Sequence, residues 1–250
     1  MNDIGPVAVV TGAGGALGGA VAQQLAAQGY QLVLVDNDPV ALGALSAALP
    51  AGSTSQAVVG DVTREDDVKR YVEVARAVGD GTIRSFLNNA GVEGSMQPLV
   101  DYSLEAFDRV MAVNVRGVFL GLKLLGPHLV GGGAVVNTSS TGGVVGATNM
   151  AGYIASKHAV VGLTRAAALE WAARNVRVNA VCPGPMEGRM MDSIAAGLGV
   201  PDVESIVSAK IPIQRLATAD EVARTVLFLL GDESTYTTGS AVVVDGGRSA

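Results

Sequence analysis

Seven short runs of apolar, largely β-branched residues punctuate this chain, and helix-length segments separate most of them. The runs are Val7–Thr11, Gln31–Asp36, Gln56–Gly60, Ile83–Asn88, Ala134–Thr138, Val176–Val181 and Ala241–Val244. Nearly every position within a run is apolar, without the polar alternation of a sheet that keeps one face wet. Strands buried on both faces read this way, and they belong to parallel sheets covered by helices. The segments between them, Ala16–Gln28, Pro39–Leu49, Arg64–Val78, Leu104–Leu129, Ala151–Arg174 and Ala219–Leu230, are rich in Ala, Leu, Glu or Arg. They are long enough to serve as right-handed crossover helices. The pattern predicts an α/β fold, a doubly wound sheet of seven parallel strands with helices on both faces. No linker, low-complexity tract or repeat interrupts it, so residues 1–250 read as one domain.

The largest break in the rhythm is Pro183–Lys210, between the sixth and seventh runs. A loop of that length in a compact domain usually carries function, and a substrate loop is expected here. Its methionines Met186, Met190 and Met191 suit an adaptable lid, or are ordinary apolar loop residues.

Composition narrows the setting. The single cysteine, Cys182, excludes an intrachain disulfide and agrees with a cytoplasmic location. The first residues show no basic segment followed by an apolar stretch, so no export signal is expected, and Gly, Pro or charges break every apolar run before membrane-spanning length. A net charge of −6 without a Lys/Arg cluster argues against nucleic acid or an anionic membrane as partner. Charged residues make up only 16% of the chain, which suggests that sister subunits cover part of the surface.

The first run leads into Thr11-Gly12-Ala13-Gly14-Gly15-Ala16-Leu17-Gly18 and then a helical segment. Glycines at such a turn let the backbone approach a pyrophosphate whose charge is stabilised at the helix N-terminus, as in Rossmann folds. The spacing G-x-G-x-x-G is not met, since Leu17 stands at its last position, and a glycine-rich turn without a ligand is the alternative. The second run ends at Asp36, eighteen residues beyond Gly18. A carboxylate there would accept hydrogen bonds from the ribose hydroxyls of NAD and repel the 2′-phosphate of NADP. Asp38, just before Pro39, is the better helix N-cap.

Tyr153 and Lys157 are four apart in a helical segment and share a face. That spacing alone is weak. Ser140 stands thirteen residues before Tyr153, just after an apolar run, where a parallel sheet presents ligand-contacting residues. Asn114 lies inside the helical segment Leu104–Leu129, an unusual place for asparagine.

These features together resemble the short-chain dehydrogenase/reductase family, in its compact branch. The matching motifs run nearly end to end: Thr11–Gly18, Asp61-Val62, Asn88-Asn89-Ala90-Gly91, Asn114, Ser140, Tyr153-x-x-x-Lys157, Pro183-Gly184 and Val244-Asp245-Gly246-Gly247. The resemblance implies a hydride transfer between NAD and an alcohol or ketone. Tyr153 would be the general acid or base, with Lys157 and the positive nicotinamide lowering its pKa. Lys157 would also bind the nicotinamide ribose, Ser140 would polarise the substrate oxygen, and Asn114 would hold a water. Gly12, Gly14, Gly15, Ala16, Leu17 and Gly18 would carry the pyrophosphate and Asp36 the ribose. Asp61 and Val62 would meet the adenine, and Asn89, Ala90, Gly91, Pro183, Gly184 and Met186 would border the cofactor. The substrate would lie among Ser140, Val145, Met150, Tyr153 and Met190, with the neighbouring Gly143–Val145, Val92–Gly94 and the Met186–Leu198 loop. Glu93 and Arg189 are its possible polar contacts.

Two departures from the family pattern stand out. Ala16 replaces the middle glycine, and Gly188 stands where relatives carry a threonine that contacts the nicotinamide amide. The carboxamide would then rest on backbone groups such as that of Met186. His128 and His158 have no cluster of further ligands, so no metal is expected. Cys182 reads as a small buried hydrophobe, and Trp171 as core or interface packing.

The leading function is an NAD-dependent oxidoreductase acting on a medium-sized, hydrophobic secondary alcohol or ketone, in the oxidative direction. A 3-oxoacyl-(acyl-carrier-protein)-type ketone reductase is the alternative, although it would favour NADP and a basic docking patch. A silent NAD-binding protein and an isomerase or lyase on the same fold are weaker readings. Leu104–Leu129 and Ala151–Arg174 are compatible with the helix bundle of a homotetramer.

Overall fold

The computed structural model describes residues 5–189, 191 and 203–250. Seven strands form one sheet: β1 (Val7–Thr11), β2 (Gln31–Asp36), β3 (Ser55–Val59), β4 (Ile83–Asn88), β5 (Leu129–Thr138), β6 (Arg177–Pro183) and β7 (Ala241–Val244). Their order is β3-β2-β1-β4-β5-β6-β7, and every pair is parallel. The order reverses between β1 and β4, which opens a crevice at the carboxyl ends of these two strands, where ligands of doubly wound sheets bind.

The helices α1 (Ala16–Ala27), α2 (Pro39–Ala48) and α8 (Ala219–Leu230) cover one face. The other face carries α3 (Glu65–Val78), α4 (Leu104–Met111), α5 (Val118–Leu125) and α6 (Ala151–Trp171). A short helix, α7 (Val203–Ser208), precedes α8. Two apolar layers result. Val10, Leu32, Leu34, Leu87 and Val136 point to one, and Val9, Val33, Val35, Phe86 and Val135 to the other. This division follows from the two-residue period of strands, and it is why each run is apolar at successive positions.

Several boundaries differ from the sequence reading. Strand β5 starts at Leu129 rather than Ala134, because a register shift against β4 and Gly132 at φ +84° absorb the extra residues. The segment Leu104–Leu129 is not one regular helix. Its backbone widens to π geometry over Ala112–Gly117 between α4 and α5, then ends in a 3₁₀ turn, Gly126–His128. By length and hydropathy Leu104–His128 could cross a membrane, against the expectation that no run would. Half of it is buried inside the structure, as befits a core helix packed on a sheet.

Asp38 caps α2, its carboxylate accepting from the amides of Val40 (2.9 Å) and Ala41 (3.1 Å), with Pro39 at the first helical position.

Candidate active site

The turn after β1 is shaped by backbone contacts that only glycine permits. Gly12 has φ +64°, and a Cβ on it would stand 2.9 Å from the Ala90 Cα. A Cβ on Gly18 would lie 2.2 Å from the Gly12 carbonyl oxygen, so α1 is seated directly on the turn. Gly15 is the N-cap of α1 and has no side chain to satisfy the first-turn amides, and no acidic residue follows in that turn. Those amides and the positive end of the helix are left to an anion.

Asp36 closes β2 beside this turn. Its carboxylate accepts from the amides of Gly14 (2.9 Å) and Asp38 (3.1 Å). A carboxylate has about four acceptor positions, so two remain for ribose hydroxyls. The uncapped helix, the glycine turn and this carboxylate fit a dinucleotide with an unphosphorylated adenosine ribose.

Asn89 ties the cleft together across the switch point. Its amide nitrogen donates to the carbonyls of Thr11 (3.2 Å) and Gly12 (3.1 Å), and its amide oxygen accepts from Thr138 Oγ1 (3.1 Å). The Asn89 backbone N–H donates to Thr11 Oγ1 at 2.9 Å. Asn89 thus joins the ends of β1, β4 and β5, with Ala90 and Gly91 held beside the turn. Asp61 caps the turn before α3, its carboxylate accepting from the Thr63 amide at 2.8 Å. Val62 is buried against Gly117, where a Cβ would meet its Cγ2 at 2.8 Å.

Tyr153 and Lys157 lie one turn apart on α6, both buried, with the ammonium nitrogen 5.5 Å from the phenol ring centre. Lys157 Nζ donates to the Thr138 carbonyl at 2.9 Å. Burial pulls its pKa down to about 8. Burial also pushes the Tyr153 phenol up, while a hydrogen bond from Ser140 pulls the opposite way and the charge of Glu93 adds to the rise. The expected lowering by Lys157 is therefore not seen in the protein alone, where desolvation governs the phenol, and the cationic nicotinamide belongs to the loaded state.

Ser140 follows β5, and its hydroxyl oxygen accepts from the Gly142 amide at 3.1 Å. Its proton is turned to the Tyr153 phenol oxygen, and a substrate oxygen entering between the two would receive it instead.

Asn114 sits in the π-widened turn, fully buried. Its amide oxygen accepts from the Val92 N–H (2.8 Å), and its nitrogen donates to the Val92 carbonyl (2.8 Å) and to Ser156 Oγ (3.0 Å). Ser156 in turn donates to the Tyr153 carbonyl at 2.7 Å. The asparagine therefore braces the segment after β4 against the tyrosine helix, and both of its N–H donors are engaged without a water. Gly91 completes the crowding, since a Cβ there would lie 3.3 Å from Lys157 Nζ and 3.2 Å from Asn114 Oδ1.

On the substrate side, Val145 is exposed and Met150 half-buried at the start of α6. Met190 lies outside the described residues. Pro183 ends β6, and a Cβ on Gly184 would strike the Asp245 Cα at 2.8 Å, which explains the closing Asp245-Gly246-Gly247 turn. Met186 pairs with Ala217 and packs on the apolar layer under α1. Gly188 has φ +121°, and a Cβ on it would lie 3.3 Å from the Ala16 methyl. The two departures from the family pattern face each other.

Thr138, Thr11 and Ser156 position the site, and residue chemistry alone did not single them out. Thr138 acts mainly through its backbone carbonyl, which leaves no mark in a sequence. Cys182 is buried with Val161 and Ala180, as its apolar reading requires. Trp171 packs against the core beneath Gly126. A separate depression lined by Gly5, Tyr30, Pro50 and Thr54 lies at the amino ends of the strands, remote from this chemistry.

Comparison with known proteins agrees with the geometry. A family profile described as enoyl-(acyl carrier protein) reductase matches residues 12–249. Levodione reductase of Leifsonia aquatica is 39% identical over 252 residues, covering 98% of this chain and 94% of that protein. Cyclohexanol dehydrogenase of Acinetobacter sp. (strain SE19) is 37% identical over 244 residues, covering 96% and 93%. A crystal structure of levodione reductase superposes with a TM-score of 0.92 at 37% identity, covering 97% of each chain. One of NAD⁺-bound xylitol dehydrogenase gives 0.90 at 34% identity, covering 98% of this chain and all of that one. The chain belongs to the short-chain dehydrogenase/reductase family.

Proposed function

We propose that this protein is an NAD-dependent oxidoreductase that interconverts a secondary alcohol and its ketone, with a cyclic or similarly compact apolar substrate. The convergence of the Tyr153 phenol, Ser140 hydroxyl and buried Lys157 ammonium at the mouth of a glycine-lined cleft carries this reading. The relatives' activities on levodione and cyclohexanol support a cyclic substrate, and the NAD⁺-bound xylitol dehydrogenase supports NAD and alcohol chemistry.

NAD, when bound, supplies the carbon that accepts or delivers the hydride. Asp36 receives the adenosine ribose, the uncapped amides of α1 receive the pyrophosphate, and Asn89, Ala90, Gly91 and the Pro183–Met186 backbone border the nicotinamide half. Ser140 donates to the substrate oxygen because its own acceptor position is turned to the Gly142 amide. Tyr153 gives that oxygen a proton in ketone reduction and removes one in alcohol oxidation. At neutral pH burial keeps the phenol protonated, while Lys157, with a pKa of about 8, still carries most of its charge. One N–H of that ammonium donates to the Thr138 carbonyl, and the others would be free to donate to the ribose of bound NAD. Asn114 fixes the distance between the two walls of the site.

The chain works as a single domain, in the cytoplasm, as a homotetramer. The exposed apolar side chains Leu104, Phe107 and Phe119 on the α4–α5 face and Leu169 on α6 are the surfaces such an assembly would cover.

The test is a fluorescence titration of the purified protein with NADH and NADPH, followed by initial rates with cyclohexanol and NAD⁺. NADH should bind at least tenfold tighter, and Tyr153→Phe should abolish turnover without weakening NADH binding. Tighter NADPH binding would refute the role given to Asp36. Full activity in Tyr153→Phe would refute the site.

A further inference from the structure

Glu93, in the segment that follows β4, is half-buried and has no hydrogen-bond or ion-pair partner among the described residues. Residues 1–4, 190 and 192–202 contain no Lys, Arg or His, so they have no cationic side chain to neutralise it. A half-buried carboxylate with no partner among the described residues is open to a donor presented from the cleft.

The backbone around Glu93 is fixed on both sides. Val92 exchanges two 2.8 Å hydrogen bonds with the Asn114 amide. Gly94 has φ +74°, and a Cβ on it would lie 2.5 Å from Val110 Cγ2 and 2.8 Å from Tyr102 Oη. The same phenol oxygen would meet a Cβ on Gly152, the residue before Tyr153, at 2.9 Å. Glu93 therefore stands on a rigid wall of the catalytic cleft. Its charge reaches the Tyr153 phenol, where it opposes ionisation.

A carboxylate only accepts hydrogen bonds, so its complement must donate. A simple ketone, an ester or another carboxylate offers nothing to it. An ammonium would donate, but Lys157 already places a positive charge in the same cleft. We propose that Glu93 is a specificity-determining residue that accepts a hydrogen bond from a second hydroxyl of the substrate, so that the preferred substrates are diols and hydroxyketones. This rests on the reading of Tyr153 and Ser140 as the alcohol/ketone site.

The experiment compares kcat/KM for cyclohexanol, cyclohexane-1,2-diol, cyclohexane-1,4-diol and trans-4-aminocyclohexanol in the native enzyme, Glu93→Gln and Glu93→Ala. The native enzyme should favour one of the diols over cyclohexanol by about 10- to 100-fold, since a site built to bind a hydroxyl discriminates strongly against its absence. Glu93→Ala should bring that ratio close to one, and Glu93→Gln should fall between. Because the charge of Glu93 also acts on Tyr153, the ratio of diol to cyclohexanol within each variant is the readout, not the absolute rate. An unchanged ratio, an equal loss on all substrates, or a preference for the amino alcohol would overturn the proposal. If the native enzyme turns over none of these alcohols, the reading of the catalytic site fails instead. Diol binding to the NADH complex, followed by NADH fluorescence, then decides for Glu93: weaker binding in Glu93→Ala supports it, and equal binding refutes it.

Discussion

The contact between Gly188 and Ala16 makes a quantitative prediction about how this chain departs from its relatives. Restoring threonine with Gly188→Thr would place a Cβ 3.3 Å from the Ala16 methyl, tighter than ordinary van der Waals contact, on backbone at φ +121°. A strained non-glycine residue of this kind costs about 1–3 kcal/mol. Crowding of the methyl adds about 1 kcal/mol. For a chain of 250 residues the sum corresponds to a fall in Tm of about 5–10 °C. Ala16→Gly alone should cost about 0.5–1 kcal/mol, because it removes a good helix former from the start of α1. In the double variant the crowding disappears while the backbone strain stays. The two changes should then couple favourably, by about 0.5–1.5 kcal/mol in a double-mutant cycle. Urea unfolding of the four proteins without cofactor measures this, and NADH titration of the same set gives an independent readout. The double variant should bind NADH more tightly than Gly188→Thr, since the hydroxyl gains room to reach the carboxamide. Additivity within about 0.3 kcal/mol would show that the two positions do not sense each other and refute the argument.

Two further predictions concern groups buried around the tyrosine. Lys157, lowered from 10.5 to about 8, binds fewer protons folded than unfolded between those values, so stability should rise with pH there by about 1.4 kcal/mol per unit. Tyr153, whose pKa is raised, favours the folded state below 10, and buried Cys182, raised from 9.0, opposes the lysine only above pH 9, so the window from pH 8 to 9 belongs to the lysine. Lys157→Met should accordingly be more stable than the native protein at pH 7, with the gap narrowing toward pH 10 in thermal melts; a constant gap would contradict the assignment. The Tyr102 hydroxyl is buried without a hydrogen-bond partner among the described residues, so Tyr102→Phe should hold or raise Tm, by up to about 4 °C. A clear loss of stability would mean that the hydroxyl has a partner.

Much of the fold was legible because burial on both faces of a parallel sheet leaves uninterrupted apolar runs. The glycine turn, Asp36 and the Asp38 cap were legible for a related reason, since each depends on what a residue type alone permits. The π-widened turn at Ala112–Gly117 was not, because hydrophobic spacing does not separate i→i+4 from i→i+5 bonding over six residues. Asn114 was the one sign of it, and its place in the interior becomes intelligible only when its amide is seen to grip both polar groups of Val92. The extension of β5 back to Leu129 was hidden by Gly131–Gly133, which interrupt the apolar run ahead of Ala134 but belong to the strand's irregular start. The Thr138 carbonyl beneath Lys157 had no signature at all, as every residue type offers the same group.

The bonds that Asn89 makes to Thr11 and Gly12 span nearly eighty residues, those between Asn114 and Ser156 more than forty. Such contacts reward the chain only after long loops have closed, which makes parallel α/β topologies slow to assemble. A refolding chain can regain helical signal while β1 and β4 are still apart, and until they meet there is no cleft for a dinucleotide. Recovery of NADH binding should therefore trail recovery of secondary structure, and a nascent chain has no complete cofactor site until residues well beyond the glycine turn have emerged.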